Sequence, residues 1–311
     1  MIALLGRRLL RGALVVWIAV SIVFLLAHGA GEPAVAMLGA RATPERVQQF
    51  NEQHGLDAPL WVQYGRYWAG AVTGDLGTSW RDGQPVASVL ATRLPRTMLL
   101  GGLALAFELL IGLGIGTIAA LRRNGPLDTL AMALAFLGVS APTFLTGLVF
   151  LQVFAFRLGW FPVGGYGVDL VDHVRHAILP ALTLAIVGAA TYARIMRSEM
   201  IETLRQDYVR TARAKGLAPI HVVRHAFRNA LLPIVTLLGL SMPLLVSGAV
   251  ITETIYGWPG VGRLAVESIS GGDVPIILGV VLLASISVQL GNLGADLVVA
   301  RLDPRIRLTA S

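Results

Sequence analysis

The sequence predicts an all-α protein that crosses a membrane six times, and three observations carry that reading. Of its 311 residues, 55% are apolar and only 14% charged, whereas soluble domains carry about a quarter charged residues. The apolar residues gather into six runs, Leu9–Ala27, Thr97–Leu121, Leu130–Phe156, Ile178–Ile195, Leu231–Ile251 and Val274–Ala300, each close to the ~20 residues that a helix needs to cross ~30 Å of hydrocarbon. They lack the alternation of barrel strands, and hydrocarbon leaves no backbone polar group unpaired, so helices are the form that fits. The third observation is where the charge sits. Sixteen of the 25 basic residues fall in four places: Arg7 to Arg11, Arg122 and Arg123, the stretch from Arg194 to Arg228, and Arg301 to Arg307. In a six-span chain all four lie on one side, so the positive-inside bias predicts both termini, the 2–3 loop and the 4–5 loop in the cytoplasm.

The first span has the outline of a signal peptide, but its removal would leave five spans and break the charge pattern, so it is read as retained. The loop from Gly29 to Arg96 carries six acids and six bases, has no electrostatic preference, and is expected outside as a small ordered scaffold. In span two, Gly112 and Gly116 form a small-xxx-small pair, read as packing within this chain rather than between chains. Glu108 lies mid-span, where an ionised acid costs roughly 2.5–3.5 kcal/mol. It is expected to face the bundle interior as a packing residue, with a pore or gate role as the alternative. Pro142, Pro180, Pro233 and Pro243 are expected to kink or delimit their helices. His173 and His176 are read as a surface pair in the 3–4 loop, and Gly164 to Gly167 as a flexible turn. Asn292 and Asp296 share a face of span six and join Glu108 and Glu253 as candidate pore or gate residues.

The 4–5 loop is too charged for lipid, yet it is patterned. Asp207 to Ala214 reads as a helix, Gly216 as its stop and Pro219 as the start of a second short helix to about Asn229. A DNA-binding helix-turn-helix has that outline, but the flanking spans leave no room for a separate domain, and lipid head groups and topology account for the net charge of +7. The chain has no cysteine and no GxxxxGK[ST] motif, so thiolate metal sites and a P-loop nucleotide site are excluded.

The run DYVRTARAKGL followed by RHAFRNALLP resembles the cytoplasmic loop of binding-protein-dependent ABC importer permeases, in the dipeptide, oligopeptide and nickel branch. Similar to that branch are also LDAPLWVQYGRYW with GDLGTSW and PVASVLATRLPRT, then FLGVSAPTF, ETIYGWPGVGR and LDPRIR. The resemblance implies the type I ABC importer permease fold. It also implies a multi-pass protein of the bacterial inner membrane that performs no chemistry. Its implied partners are a second permease, two ATPase subunits that bind ATP and Mg²⁺, and an extracytoplasmic substrate-binding protein; no cofactor and no nucleic acid are expected. The family's Glu-Ala-Ala-x-x-x-Gly loop falls on Arg210, Thr211, Ala212 and Gly216, so the acid is missing. Asp207, three residues earlier on the same face, is the candidate to replace it. Together with Leu217 these residues are the implied ATPase-coupling set.

The expected organisation is the N-terminus and first span over 1–28, the external scaffold over 29–96, a five-span core over 97–300 with its coupling loop at 196–230, and a tail over 301–311. Di- or oligopeptides are the expected solute, with nickel complexes or glutathione as alternatives. An ion-coupled secondary transporter is the rival class, but only Glu108 would serve it near the midplane, and no internal repeat is evident.

Overall fold

The computed structural model describes residues 2–29, 32–247 and 250–302, of which 2–5, 239–247 and 295–302 are described as backbone only. Among the described residues the elements are helices, with one isolated bridge between Thr78 and Pro85. The tail from residue 303, with most of LDPRIR, lies outside the described residues. The chain's contacts group it into two compact units: residues 1–97, 246–250 and 259–290, and residues 98–245, 251–258 and 291–311. Residues 259–290 thus group with the N-terminal third, rather than with the 97–300 core expected from sequence.

The first unit opens with α1 (Ile2–Gly29). Val16, Val20 and Phe24 of α1 form a core with Val274, Leu278 and Leu282 of the last long helix. The described part of the 29–96 segment, from residue 32 onward, is largely helical. It contains α2 (Pro33–Leu38), α3 (Pro44–His54) and α4 (Leu60–Thr73), followed by a hydrogen-bonded turn that leads into α5 (Val86–Leu121). Thr43 caps α3 by accepting from the Arg46 amide, with Pro44 in the first turn, the pairing that starts a helix sharply. Tyr64, Tyr67 and Trp68 of α4 close over the α1 core. The GDLGTSW turn is held by Asp273: Ser79 Oγ donates to its carboxylate at 2.5 Å and the Trp80 amide at 3.2 Å. Phe50 and His54 of α3 pack on the Trp80 ring. Burial pushes the His54 imidazole below its ordinary value, with the Asp273 carboxylate pulling the other way, so at neutral pH the ring packs as an uncharged aromatic.

The second unit is organised around α8 (Leu170–Thr203), which is 34 residues long and runs through Pro180. His173 and His176 therefore lie in its first turns rather than in a loop. Gly112 of α5 lies against Ala189 and Tyr192 of α8, and Gly116 against Ala193 and Met196. The small-xxx-small pair is thus helix packing inside the chain. Ala226, Ala230 and Ile234 of α10 (Pro219–Ser247) complete this core with Met196 and Met200.

The third apolar run is not one helix. It divides into α6 (Pro126–Ser140) and α7 (Thr143–Phe150), the latter continuing as a π-helical segment, Leu151–Arg157. The two parts are bent by 107°, far beyond the kink expected of Pro142. Ala141, the residue before Pro142, takes extended backbone at φ −74° and ψ 128°, as a residue before proline prefers, and beyond the break Leu151 and Ala155 settle against Leu179 and Tyr256.

Among the described residues, four helical stretches are each long and apolar enough to cross a bilayer: Gly6–Gly29, Val86–Leu121, Leu170–Thr203 and Val274–Gly294. The α6 and α7 pair passes the same test only as a broken span. The remaining predicted run falls on α10, whose side chains from residue 239 are outside the described set. The short α11 (Val250–Ile255) and α12 (Val261–Gly271) then lead to α13 (Val274–Leu302).

Candidate functional site

The 4–5 loop is built from the inside outward. The short α9 (Asp207–Ala214) is anchored by Val209, which is 1% exposed. Its C-terminus closes as a Schellman motif: the Gly216 amide donates to the Arg213 carbonyl and the Leu217 amide to the Ala212 carbonyl, with Gly216 left-handed at φ 75°. That geometry accounts for a glycine at 216. Pro219 then opens α10, and Asn229 Nδ2 donates to the Tyr208 hydroxyl at 2.7 Å, which ties the two helices together. The second helix is not short. It continues from Pro219 to Ser247, because the Val222, Ala226, Ala230 and Ile234 stripe stays buried along it.

What remains outside is the set that the family resemblance implied for coupling. Asp207, Arg210, Thr211, Gly216 and Leu217 are exposed, and Ala212 is half-buried. Asp207 pairs with Arg210 at 3.3 Å, but the two side chains are 95% and 76% exposed. So exposed a pair is worth little internally and can be exchanged for a partner's charge. Tyr208 and Ile220 are exposed as well, and sequence reasoning missed both. An apolar residue at the solvent end of a basic helix was the available signal for Ile220.

A second polar contact lies beside this loop. Asp128, 3% exposed in the first turn of α6, accepts from Arg197 Nε at 2.5 Å and from the other guanidinium nitrogen at 2.7 Å. It also accepts from the Asn124 amide at 2.8 Å. This fork fastens α6 to α8 six residues before α8 ends at Thr203. Sequence reading missed it, because Arg197 stands inside a basic run that counts as topology signal.

The candidate pore or gate residues differ in exposure. Glu108 is half-buried, and its carboxyl lies over Gly188 of α8. Glu253 is fully buried, so it does not line a surface of this chain. Asn292 is exposed, and the Asp296 side chain is outside the described residues. Among the described residues no three His, Asp or Glu stand together to hold a metal ion. The Glu108 contact gives an expected outcome. Glu108→Gln, the same size on the same bare backbone, should keep uptake within about twofold of wild type. Gly188→Val, which fills that space, should lower membrane abundance. Uptake abolished in Glu108→Gln at normal abundance would show that the charge itself is needed.

The polar contacts fall at helix ends and within bundle packing, as suits a translocation subunit. The family profile described as "Binding-protein-dependent transport system inner membrane component" matches residues 112–308. The profile for the N-terminal part of such components matches residues 1–101. The chain belongs to this family of inner-membrane transport components. The permease is 41% identical over 98% of both chains to a protein of Brucella suis biovar 1 named as a peptide permease. It is 40% identical, over 92% of each chain, to the glutathione transport system permease protein GsiC of Escherichia coli O6:H1. A third relative, the oligopeptide transport system permease protein AppB of Bacillus subtilis, is 38% identical over 89% of this chain and 90% of its own. A chain of the inward-facing MetNI methionine ABC transporter superposes with a TM-score of 0.53 at 17% identity, covering 69% of the permease and 96% of that chain. That likeness shows a shared ABC-importer permease fold, and the family resemblance read from the sequence blocks holds.

Proposed function

We propose that this permease forms half of the translocation pore of an ATP-driven importer of di- and oligopeptides, beside a second, related permease. It takes solute from an extracytoplasmic binding protein and works with two ATPase subunits, which hold ATP and Mg²⁺. The observation that supports it most directly is the α9–α10 turn. A rigid, internally bonded element presents Tyr208, Leu217 and Ile220 among basic side chains. Such a surface suits a groove with acidic edges on a partner, and its rigidity lets a closing motion pass into the helices that carry it. Peptide is favoured over other solutes because two of the three relatives are named for peptide or oligopeptide transport. Glutathione, itself a small peptide, is the second reading, from the GsiC likeness.

Reconstitution with the binding protein, sister permease and ATPases encoded alongside tests both. Radiolabelled dipeptides and tripeptides are expected to enter proteoliposomes only with ATP, and glutathione to compete weakly. Uptake without ATP, or driven by an ion gradient alone, would refute the importer reading.

Orientation follows from the Arg distribution and is tested by labelling, which is clean in a chain with no cysteine. Val72→Cys, at an exposed position near the end of α4, is expected to react with an impermeant maleimide in cells whose outer membrane is opened. Lys215→Cys, in the 4–5 loop, is expected to react only after lysis. The opposite pattern would invert the topology.

A further inference from the structure

Between Ser140 and Thr143 the helix axis turns through 107°, and α8 fixes the depth at which it does so. On one side of the break Gly138 lies against Ile186 and Ala190; on the other, Gly147 lies against Thr183. The break is therefore level with residues 183–186 of a helix that runs from Leu170 to Thr203. At ~1.5 Å per residue that is roughly 20–30 Å from either end, near the centre of the hydrocarbon.

A helix interrupted there leaves main-chain groups without intrahelical partners, and Pro142 supplies no side-chain bond to them. Lipid does not solvate such groups. Broken backbone is stable at this depth only where protein covers it or where it faces water. Within this unit α8 covers one side. Gly138 and Asp128 turn toward α8, and Ser140 stands on roughly the opposite face of α6 at ~100° per residue. Ser140 and Pro142 are exposed, and Thr143 is half-buried.

We infer that Ser140 to Thr143 form part of the wetted wall of the solute path. The Ala141 amide and the Pro142 carbonyl are bonded within their helices, but the hydroxyls and the main-chain groups left over at two helix ends offer hydrogen bonds that do not depend on the side chains of what passes. That the path carries peptide rests on the reading above; the wetted wall does not.

The test uses the assembled transporter in membranes, with Ser140→Cys or Thr143→Cys as the single cysteine and Ile18→Cys, on the exposed apolar side of α1, as the lipid-facing control. The probe is a charged methanethiosulfonate, which needs a hydrated thiolate. Ser140→Cys is expected to react at least about tenfold faster than Ile18→Cys, at rates that differ between the nucleotide-free and vanadate-trapped complexes, as alternating access requires. Thr143→Cys serves if Ser140→Cys fails to assemble. Rates no faster than the control in both states would place the break under protein or lipid and overturn the inference. Fast reaction that ignores the nucleotide state would put the water off the path and overturn it too. Peptide uptake by the wild-type complex reports separately on the solute.

Discussion

Gly216→Leu is expected to yield a permease that inserts, pairs with its sister subunit and imports nothing. Gly216 holds φ 75° at the end of α9, a left-handed conformation that costs an L-residue about 1–2 kcal/mol. No atom lies within 4 Å of where its Cβ would go, so the substitution harms no packing inside the chain. The whole effect falls on the Schellman turn and on whatever docks there. Relaxing the turn releases the Leu217-to-Ala212 bond and moves Leu217 and Ile220 apart. A strain of that size alone weakens docking about tenfold, and a leucine added at the contact weakens it further. Gly216→Asn tolerates the left-handed geometry and should retain most activity, which separates backbone strain from lost flexibility. Co-purification of the ATPases in detergent and ATP-driven uptake in proteoliposomes read the outcome. Wild-type retention and uptake in Gly216→Leu would remove the 4–5 loop from the coupling mechanism.

Arg197→Ala is expected to cost the most stability of any single change outside the apolar core. It leaves the Asp128 carboxylate, 3% exposed, with the Asn124 amide and the Arg123 charge nearby but without its fork. Removing one member of a buried pair costs about 3–5 kcal/mol, because the other charge is left uncompensated. Arg197 is 26% exposed, so water recovers part of this and the lower end applies. Arg197→Lys keeps the charge but loses the fork and should fall between. Asp128→Asn, which still accepts from Asn124, should lose least. Thermal melts of the detergent-solubilised complex would show that order, and an Arg197→Ala melt indistinguishable from wild type would mean the fork is dispensable.

Most of the helical layout was legible because it is written in periodic terms: apolar run length, basic residues between runs, glycine and proline at helix ends. The α9–Gly216–Pro219 turn was readable for the same reason, since capping chemistry is local. What escaped depends on distant partners. Pro142 announces a break, but neither its 107° size nor the seat of the following segment on Leu179 and Tyr256 is written locally. Glu253 in the ETIYGWPGVGR block looks available in sequence and is fully buried in the structure. Asp128 and Arg197 lie 69 residues apart, and nothing local marks them as a pair. The second helix of the loop seemed short because charge hides the apolar stripe that carries it on to Ser247.

The continuity of that helix bears on how force is distributed. Entering the 4–5 loop, α8 is unbroken over 34 residues, and leaving it, α10 is unbroken over 29. A three-residue turn, 204–206, joins α8 to α9, whereas α10 starts directly at the α9–α10 turn with Pro219. A second interruption, between α6 and α7, lies along α8. On the function proposed above, a push on α9 passes into α10 with no break in the helix and into α8 through that short turn. On that reading, work done at one face of the bilayer meets an unbroken helix on one side of the loop and a jointed path on the other.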